Sequence, residues 1–318
     1  MRALITGVAG QTGSYLAEAL VARGWECHGA VREEDGTSQV LPSTVKVHEV
    51  DLTNFVAAAS LVRAVSADVI VNLAAVSSVA RSWEEPVETA LLNGAAVANL
   101  LAAVEGTRQD GASPHFIQAS SAEIFGTPDA CPQDEETLVA PTNPYGAAKA
   151  YGHLLAGAYR ARGLMASSLI LYNHESPRRP EHFVTRKITA GAARIARGKQ
   201  EFLSLGNLDA RRDWGWAPDF AEAIALVAES GDGDDFVVAT GEDHSVRDFA
   251  LRALEQAGVE SADDRLKVDP RFVRPLDAHQ LVGDAAKIRK KLGWAPTRTF
   301  DEVVSAMVRA DLRALDGV

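Results

Sequence analysis

The fold is decided close to the amino terminus by residues 3–13, Ala3-Leu4-Ile5-Thr6-Gly7-Val8-Ala9-Gly10-Gln11-Thr12-Gly13. The first four residues form a short apolar run that is typical of a buried parallel strand. The three glycines allow a tight turn, close approach of the backbone to a phosphate, and close helix packing. An amphipathic run from Tyr15 to Val21 then predicts a helix. Because the first N–H groups of a helix attract anions, this strand–loop–helix unit predicts a dinucleotide-binding site.

Apolar runs and helical patterns alternate along the first half of the chain. Strands are predicted at residues 26–31, 45–50, 68–73, 115–119 and 166–172, and helices at 53–65, 84–104 and 144–162. The spacing of Ser82 and Glu85 predicts a capping box at the start of the second of these helices. This alternation predicts an α/β fold with a doubly wound parallel sheet and right-handed crossovers.

The chain changes character after about residue 173. Prolines and an arginine-rich loop are followed by predicted helices near 182–197 and 218–230 and by a strand at 235–239. A capping box at Thr299 and Glu302 predicts a final helix. We therefore expect a dinucleotide-binding domain over residues 1–172 and a smaller α/β substrate-binding lobe over 173–318. Part of 213–248 is expected to return to the first domain.

Composition excludes several classes of function. The 318 residues carry a formal net charge of −11, which disfavours nonspecific binding to nucleic acid or to an anionic membrane surface. The two cysteines, Cys27 and Cys131, provide neither a disulfide framework nor a metal-ligand set. The first strand leaves no room for a signal peptide, and no apolar stretch is expected to span a bilayer. A cytoplasmic location without a structural metal is expected.

Polar residues follow the predicted strands at the edge where a doubly wound sheet binds its ligands. Small residues from Leu73 to Ser77 leave one strand, and Ser121 and Glu123 leave the next. Tyr145 and Lys149 lie four residues apart on a helix, so they share one face. A nearby ammonium favours a phenolate and lowers a tyrosine pKa from its usual value near ~10.

Each of these residues also has a simpler interpretation. A tyrosine and a lysine four residues apart are often two solvated or half-buried helix residues. Glu123 is equally interpreted as a surface acid at the end of a strand. The pair gains meaning from the upstream glycine loop and from the polar residues of the preceding strand.

With these residues assembled, the chain resembles the extended short-chain dehydrogenase/reductase superfamily, which has a Rossmann fold. It is more closely similar to the GDP-mannose 4,6-dehydratase family over nearly its whole length. The stretches that carry this similarity are 10–18, 118–123, 173–179, 183–189, 205–209, 212–215, 239–241, 268–271 and 291–294. The run Asn173-His174-Glu175-Ser176-Pro177-Arg178-Arg179 is more discriminating than either superfamily motif.

The resemblance implies an NADP-dependent dehydratase of a nucleotide-diphosphate sugar, GDP-mannose, that assembles as a homodimer or homotetramer. Catalysis is implied for Ser121, Glu123, Tyr145 and Lys149. Cofactor contacts are implied for Gly7, Gly10, Gln11, Thr12, Gly13, Arg32, Asp51, Leu52, Leu73, Ala74, Ala75, Ser77, Lys149, His174 and Arg179. Substrate contacts are implied for Asn173, Val184, Lys187, Arg212, Arg274 and Asp277.

Departures from the family pattern concern the cofactor, the subunit contacts and the base. An acid that would favour NAD is missing after the second strand, and Arg32 favours NADP. The family's second arginine is replaced by Glu33, however, which keeps NAD as an alternative. The following loop, 33–44, is shorter than in relatives, where it helps to build a tetramer. Glu88 replaces a cofactor-contacting tyrosine, and Asp277 replaces a glutamate near the base pocket.

Three hypotheses remain open from the sequence. The chain is a GDP-mannose-type dehydratase, a related nucleotide-sugar dehydratase, epimerase or reductase, or a non-catalytic NADP-binding regulator. The intact Tyr145, Lys149 and Glu123 disfavour the regulator. His174 is equally interpreted as a core histidine bonded to backbone, and the arginines as solvated surface charges.

Overall fold

The computed structural model describes residues 1–32, 41–108, 111–272 and 280–317. The strands are β1 Arg2–Thr6, β2 Glu26–Val31, β3 Lys46–Glu49, β4 Val69–Asn72, β5 His115–Ala119, β6 Ala166–Leu171, β7 Asn173–Glu175, β8 Leu203–Leu205, β9 Arg211–Trp216, β10 Asp235–Val238, β11 Asp243–Ser245, β12 Leu266–Val268 and β13 Gln280–Leu281. The α-helices are α1 Gln11–Ala22, α2 Phe55–Val65, α3 Val79–Glu84, α4 Pro86–Ala90, α5 Ala96–Thr107, α6 Pro144–Ala161, α7 Val184–Ala196, α8 Ala217–Ser230, α9 Val246–Gln256, α10 Ala286–Leu292 and α11 Phe300–Asp316.

Seven parallel strands form the large sheet, in the order β3-β2-β1-β4-β5-β6-β10. The chain reverses direction across the sheet between β1 and β4, where a doubly wound fold opens its ligand crevice. Strands β4, β5 and β6 are buried throughout, as expected for parallel strands covered by helices on both faces. The predicted doubly wound parallel sheet is confirmed.

Two apolar clusters cover the faces of this sheet. One joins Leu16 of α1 and Phe220 of α8 to β6 and β10, and the other joins Leu61 of α2 and Leu100 of α5 to β4. Helix α8 and strand β10 follow the first residues of the small lobe in sequence but lie in the layers of the large sheet. The carboxyl ends of β1, β4, β5 and β6 thus face one crevice.

The small lobe is built from short strands and three helices. Strand β9 is its centre, because it pairs with β7, β11 and β13, while β8 and β12 form a separate ladder. Helices α7, α9 and α11 enclose a third apolar cluster that includes Trp214 and Phe249. The predicted capping box at Thr299 and Glu302 is confirmed at the start of α11.

The helix predicted over 84–104 is wrong at its start. The structure has α3 and α4, then a π-helical turn over Leu91–Ala95, and then α5. Pro86 begins α4, and a proline disfavours helical geometry in the residue before it, so α3 ends at Glu84. Ser82 therefore lies inside α3, and Ser78 caps that helix instead.

The prediction that no apolar stretch is long enough to span a bilayer is also wrong. The helical run Pro86–Thr107 is 22 residues long and apolar enough, by length and composition alone, to cross a membrane. Of the most apolar part of this run, 50% is buried inside the protein. Leu100 and Val104 of this run belong to the apolar cluster under the large sheet, so the run forms a core helix there.

Candidate active site

A cleft of about 1330 Å³ lies at the carboxyl edge of the large sheet and continues into the small lobe. It is larger than the roughly 300–1,000 Å³ of a typical small-molecule site, so it has room for two ligands. The sequence-predicted residues that line it are Gly7, Gly10, Gln11, Thr12, Gly13, Arg32, Leu52, Leu73, Ala74, Ala75, Ser77, Ser121, Glu123, Tyr145, Lys149, Asn173, His174, Arg179, Val184, Lys187 and Arg212. One cleft therefore brings together residues from widely separated segments of the chain.

The glycine loop forms a cradle that fits a pyrophosphate. A Cβ atom at Gly13 would lie 2.4 Å from the carbonyl oxygen of Gly7, so a larger residue cannot replace it without displacing the loop. Helix α1 begins at Gln11, directly at the cleft, and carries no acidic residue in its first turn. Its N–H groups and dipole therefore offer an anion site, which suits the predicted dinucleotide contact.

The segment after β6 docks onto the start of α1. Gln11 donates from Nε2 to the backbone carbonyl of His174 at 2.9 Å and accepts from the Ser176 hydroxyl at 2.7 Å. The Thr12 hydroxyl lies 2.7 Å from Nε2 of His174. The two stretches that resemble the same family thus form a single contact surface in the fold.

Arg178 strengthens this contact, although the sequence assigned it no role. Its guanidinium donates to the Ser14 hydroxyl at 3.1 Å and to the Glu18 carboxylate at 2.6 Å. It also lies 3.9 Å from the ring centroid of Tyr15. The residue clamps the outer side of α1 to the loop that carries His174.

The contacts of His174 match those of a core histidine bonded to backbone more closely than those of a residue that contacts the cofactor directly. Its Nδ1 donates to the Tyr172 carbonyl at 2.8 Å, so Nε2 accepts from the Thr12 hydroxyl. Its ring stacks on Phe220 at a centroid distance of 4.5 Å. Burial lowers the pKa of His174 to about 4. The neutral ring therefore packs within the wall of the cleft, where it also forms part of the lining.

The loop after β4 is fixed from both sides. The Thr6 hydroxyl accepts from the backbone N–H groups of Leu73 at 3.2 Å and Ala74 at 3.1 Å. Asn93, in the π-helical turn, bonds both backbone groups of Val76, at 2.8 Å and 2.9 Å. Asn93 was missed in the sequence, where a buried asparagine within a long apolar helical pattern was its only signal.

A buried chain of hydrogen bonds links the glycine-loop strand to Lys149. Thr6 donates to Asn72 at 2.6 Å, and Asn72 donates to Gln118 at 2.9 Å. Gln118 donates to the Ala119 carbonyl at 2.9 Å, which also accepts from Lys149 Nζ at 2.8 Å. Burial lowers the pKa of Lys149 from 10.5 to about 8.

Tyr145 differs from the expectation in its protonation. The pKa of its phenol is raised to about 12, mainly by burial; the Ser121 hydrogen bond lowers it, the Glu123 charge raises it and the Arg179 charge lowers it. Lys149 Nζ lies 6.0 Å from the ring centroid, so its charge does not offset the loss of solvent. The phenol is therefore protonated at neutral pH in the ligand-free protein.

Asn143, which the sequence did not single out, connects Glu123 to the helix that carries Tyr145. The 3₁₀ turn Ala122–Phe125 follows β5, and Ser121 caps it by accepting from the Glu123 N–H at 3.3 Å. The Glu123 carboxylate accepts from the Asn143 side chain at 2.8 Å, and Asn143 precedes α6. The carboxyl group, the Ser121 hydroxyl and the phenol line the same cleft.

The basic residues of the lobe are held by local partners. Arg179 lies 3.7 Å from the Phe183 ring centroid, and its Nε is 3.4 Å from the Glu175 carboxylate. Burial raises the pKa of Glu175, whose carboxylate also accepts from the Thr185 hydroxyl at 2.6 Å. Lys187 Nζ lies 3.5 Å above the Phe272 ring.

The remaining substrate candidates are placed as follows. Arg212 is mostly buried in β9 and donates to the Arg211 carbonyl at 2.7 Å. Asn173 lies in β7, and Val184 begins α7 at the mouth of the cleft. Arg274 and Asp277 lie outside the described residues.

Arg32 lies at the opposite end of the cleft, after β2. Its guanidinium is 3.4 Å from the Glu88 carboxylate, which also lies 3.2 Å from Arg81. Asp51 does not line the cleft, because its carboxylate accepts from the N–H and hydroxyl of Thr53 at 2.9 Å and 2.7 Å. The described residues bring together no group of three metal ligands, and both cysteines are free thiols.

Comparison with known proteins agrees with this geometry. The family model described as GDP-mannose 4,6 dehydratase matches residues 4–307. The chain is 39% identical to the GDP-mannose 4,6 dehydratase of Cricetulus griseus, covering 98% of this chain and 92% of that one. It is 41% identical to GDP-mannose 4,6 dehydratase 2 of Arabidopsis thaliana, covering 98% and 86%.

A solved structure is similar over the same length. The UDP-glucose 4-epimerase of Thermus thermophilus, in complex with NAD, superposes with a TM-score of 0.85 at 30% identity. That match covers 98% of this chain and 99% of the epimerase. The family match over nearly the whole chain, the identity to curated relatives and the assembled cleft lead to one conclusion: this chain belongs to the GDP-mannose 4,6-dehydratase family.

Proposed function

We propose that the protein converts GDP-mannose to GDP-4-keto-6-deoxymannose by NADP-dependent 4,6-dehydration, as a hydro-lyase. Family membership makes it a nucleotide-sugar 4,6-dehydratase. The observation that carries the proposal is Glu123, a second acid–base group that lines the same cleft as Tyr145 and Lys149. Oxidation at C4 needs one such group, whereas loss of the C5 proton needs its own base.

The cofactor fits the residues of the large sheet. The Gly13 cradle and the start of α1 would hold the pyrophosphate, and the small residues Leu73, Ala74 and Ala75 would face the dinucleotide. When bound there, the cofactor would supply the hydride acceptor for oxidation at C4 and the hydride donor for reduction at C6. Lys149 would hold the adjacent ribose while its ammonium charge acts on Tyr145.

Tyr145 would remove the proton of the sugar 4-hydroxyl, with Ser121 donating a hydrogen bond to the 4-oxygen. Since the pKa of Tyr145 is about 12 in the ligand-free protein, the phenolate has to be stabilised within the bound complex. The Lys149 ammonium can supply that stabilisation once ligands exclude water and bring it closer to the phenol. Substrate binding and activation of Tyr145 are therefore coupled.

Glu123 would act in the second half of the reaction. The 4-keto group acidifies the C5 hydrogen, and the carboxylate removes it as a proton. The C6 hydroxyl then leaves as water, with the proton that Glu123 carries. With hydride returned to C6, Glu123 would deliver to C5 a proton taken up from solvent, and the proton that Tyr145 removed from the 4-hydroxyl would be released to solvent. The net change is loss of one water molecule, and the cofactor is regenerated.

The nucleotide diphosphate would lie in the small lobe. Arg179 faces the cofactor end of the cleft, and Lys187 and Arg212 line the lobe beyond it, beside Asn173. A guanidinium fork binds phosphate oxygens in pairs, which suits the pyrophosphate of a sugar nucleotide. Arg274 is also proposed to hold the diphosphate, Asp277 to contact the base, and Val184 to contact the substrate.

Arg32 carries the proposal of NADP rather than NAD. It lines the cleft after β2, where a 2′-phosphate on the adenosine ribose would meet it. Its ion pair with Glu88 competes with that phosphate, so the preference for NADP is expected to be modest.

We further propose a homodimer formed by the outer faces of α4, the π-helical turn and α6. Val87, Leu91, Tyr151 and Leu154 lie on these adjoining elements with 72%, 47%, 49% and 58% of their surface exposed. Such an apolar patch on a folded chain favours a subunit contact. Light scattering should give a dimer for the wild type and a monomer for Leu154→Glu; an unchanged mass for the variant would exclude this face, and a tetramer would require a second contact.

The function is tested by one turnover with a small panel of GDP-, UDP- and dTDP-sugars, followed by mass spectrometry. The proposal expects loss of one water from GDP-mannose without consumption of added cofactor. An epimerase would leave the mass unchanged, and a reductase would oxidise NADPH in proportion to product. The reduced thiols of Cys27 and Cys131 agree with a reaction in the cytoplasm.

A further inference from the structure

Asn143 makes two different hydrogen bonds at the amino end of α6. Its side-chain oxygen accepts from the Gly146 N–H at 2.8 Å and so caps the helix. Its side-chain nitrogen donates to the Glu123 carboxylate, also at 2.8 Å. Asn143 is 7% exposed; its capping bond is buried, and its bond to Glu123 is partly buried at the wall of the cleft.

A second contact joins the same two elements. A Cβ atom at Gly146 would lie 2.4 Å from the backbone oxygen of Glu123, so the first turn of α6 rests directly on the turn that carries Glu123. Tyr145 lies between Asn143 and Gly146 in the sequence. The phenol and the carboxyl group are thus carried by two elements that pack directly against each other. Among the described hydrogen bonds, only the one from the Asn143 amide reaches the Glu123 carboxylate.

Capping alone does not require an asparagine here. Ser245 and Thr299 cap α9 and α11 with hydroxyl oxygens, and Asn54 caps α2 through its oxygen. A serine or an aspartate at position 143 would supply an equivalent oxygen for the helix. The asparagine amide caps the helix with one atom and donates to Glu123 with another, whereas a serine would have to do both with a single hydroxyl and an aspartate has no donor. A donor aimed at a carboxylate forms a charge-assisted bond.

We propose that Asn143 is a positioning residue for the dehydration half of the reaction, holding the Glu123 carboxylate in register with Tyr145. This inference rests on the proposed function, because it assumes that Glu123 removes the C5 proton. The amide bond fixes which way the carboxylate points, and so where the oxygens that accept the C5 proton lie. Misplacement of a catalytic group by about 1 Å can cost roughly a hundredfold in rate.

The experiment compares Asn143→Ser and Asn143→Asp in the full-length protein. Both keep a helix cap and lose the amide donor, and the aspartate also places a like charge beside Glu123. Exchange of the C5 hydrogen is measured by deuterium uptake from D₂O, and C4 oxidation by the transient absorbance of the reduced nicotinamide. Asn54→Ser, which changes the cap of a distant helix in the same way, is the matched control.

We expect C5 exchange to fall about tenfold in Asn143→Ser and about a hundredfold in Asn143→Asp, while C4 oxidation stays within about threefold of the wild type. The melting temperatures of Asn143→Ser and Asn54→Ser should shift equally. Equal loss of both half-reactions, or retention of C5 exchange, would overturn the role of Asn143. If the wild type itself neither oxidises C4 nor exchanges C5 of GDP-mannose, the proposed function fails instead.

Discussion

The two halves of the cleft hold their polar groups in different ways. On the large sheet, Thr6, Asn72 and Gln118 form a buried chain of neutral hydrogen bonds that ends at the carbonyl bound by Lys149. In the small lobe, Arg179 and Lys187 lie on aromatic rings or beside carboxylates. The comparison indicates a cofactor half that is already organised and a substrate half whose cations must exchange partners when a diphosphate binds.

The two halves of the cleft are in contact through α1. The segment from His174 to Arg178 is the only described covering of the start of α1 that also continues into the lobe. Gln11 and Thr12 therefore connect the glycine loop to the start of the small lobe. Four measurements would break or sharpen this comparison.

The largest effect is expected from Tyr145→Phe, which removes the acid–base group without changing the organised cofactor half. We expect turnover to fall by at least about 10³-fold, because general acid–base catalysis contributes roughly 10²–10⁴ and the first step needs this group. Cofactor affinity, measured by fluorescence titration, should stay within about threefold. A matching loss of cofactor affinity would show that the phenol also builds the cofactor site.

Arg178→Ala tests the contact between the two halves of the cleft. Loss of the bonds to Ser14 and Glu18 and of the stacking on Tyr15 is expected to lower the free energy of unfolding by about 2 kcal/mol. Urea denaturation measures this change. Arg178→Lys serves as the control and should restore little, because lysine lacks the planar guanidinium that stacks on Tyr15 and reaches Ser14 and Glu18 from two separate nitrogens. Full recovery with lysine would mean that charge alone holds this contact.

Lys149→Met is expected to stabilise the ligand-free protein while abolishing activity. The folded pKa of Lys149, about 8, lies below its ordinary value of 10.5, so the folded chain bears the cost of a buried charge below pH 8. The gain in unfolding free energy should be about 1–2 kcal/mol at pH 7. It should shrink as the pH rises from 8 towards 10.5. A gain that is independent of pH would contradict burial of the charge.

The smallest effect is expected at Glu88. Glu88→Gln removes one partly exposed ion pair of Arg32, and such pairs contribute about 0–1 kcal/mol. NADP should bind about threefold more tightly and NAD almost unchanged. Arg32→Ala is the opposing variant and should weaken NADP binding about tenfold. Equal effects on both cofactors would show that Arg32 does not meet the 2′-phosphate.

The large sheet could be predicted from the sequence, and the small lobe mostly could not. The strands predicted at 26–31 and 115–119 match β2 and β5 in full, because each contains a short apolar run, Ala30-Val31 or Phe116-Ile117, that lies between helical patterns. Strand β9 was missed, since Arg211–Trp216 has no such run and depends on pairing with distant β7, β11 and β13. A local pattern carries no signal for strands held by non-local partners.

The same limit applies to the site. Among the described residues placed by family resemblance, all but Asp51 line one cleft, but Asn143 and Arg178 act through contacts 20 and 160 residues away along the chain. The expectation for Tyr145 was wrong because spacing on a helix shows that Lys149 is near, not that the phenol is buried. Burial outweighs a charge that lies 6.0 Å from the ring.

The central claim is that hydride moves from C4 to C6 of one sugar while Glu123 exchanges the hydrogen at C5. GDP-mannose carrying deuterium at C4, incubated in ordinary water with less NADP than substrate, tests it directly. The account expects the product to carry that deuterium at C6 and a solvent hydrogen at C5 after many turnovers. Deuterium that accumulates in reduced cofactor, with the C6 hydroxyl retained on the sugar, would contradict it.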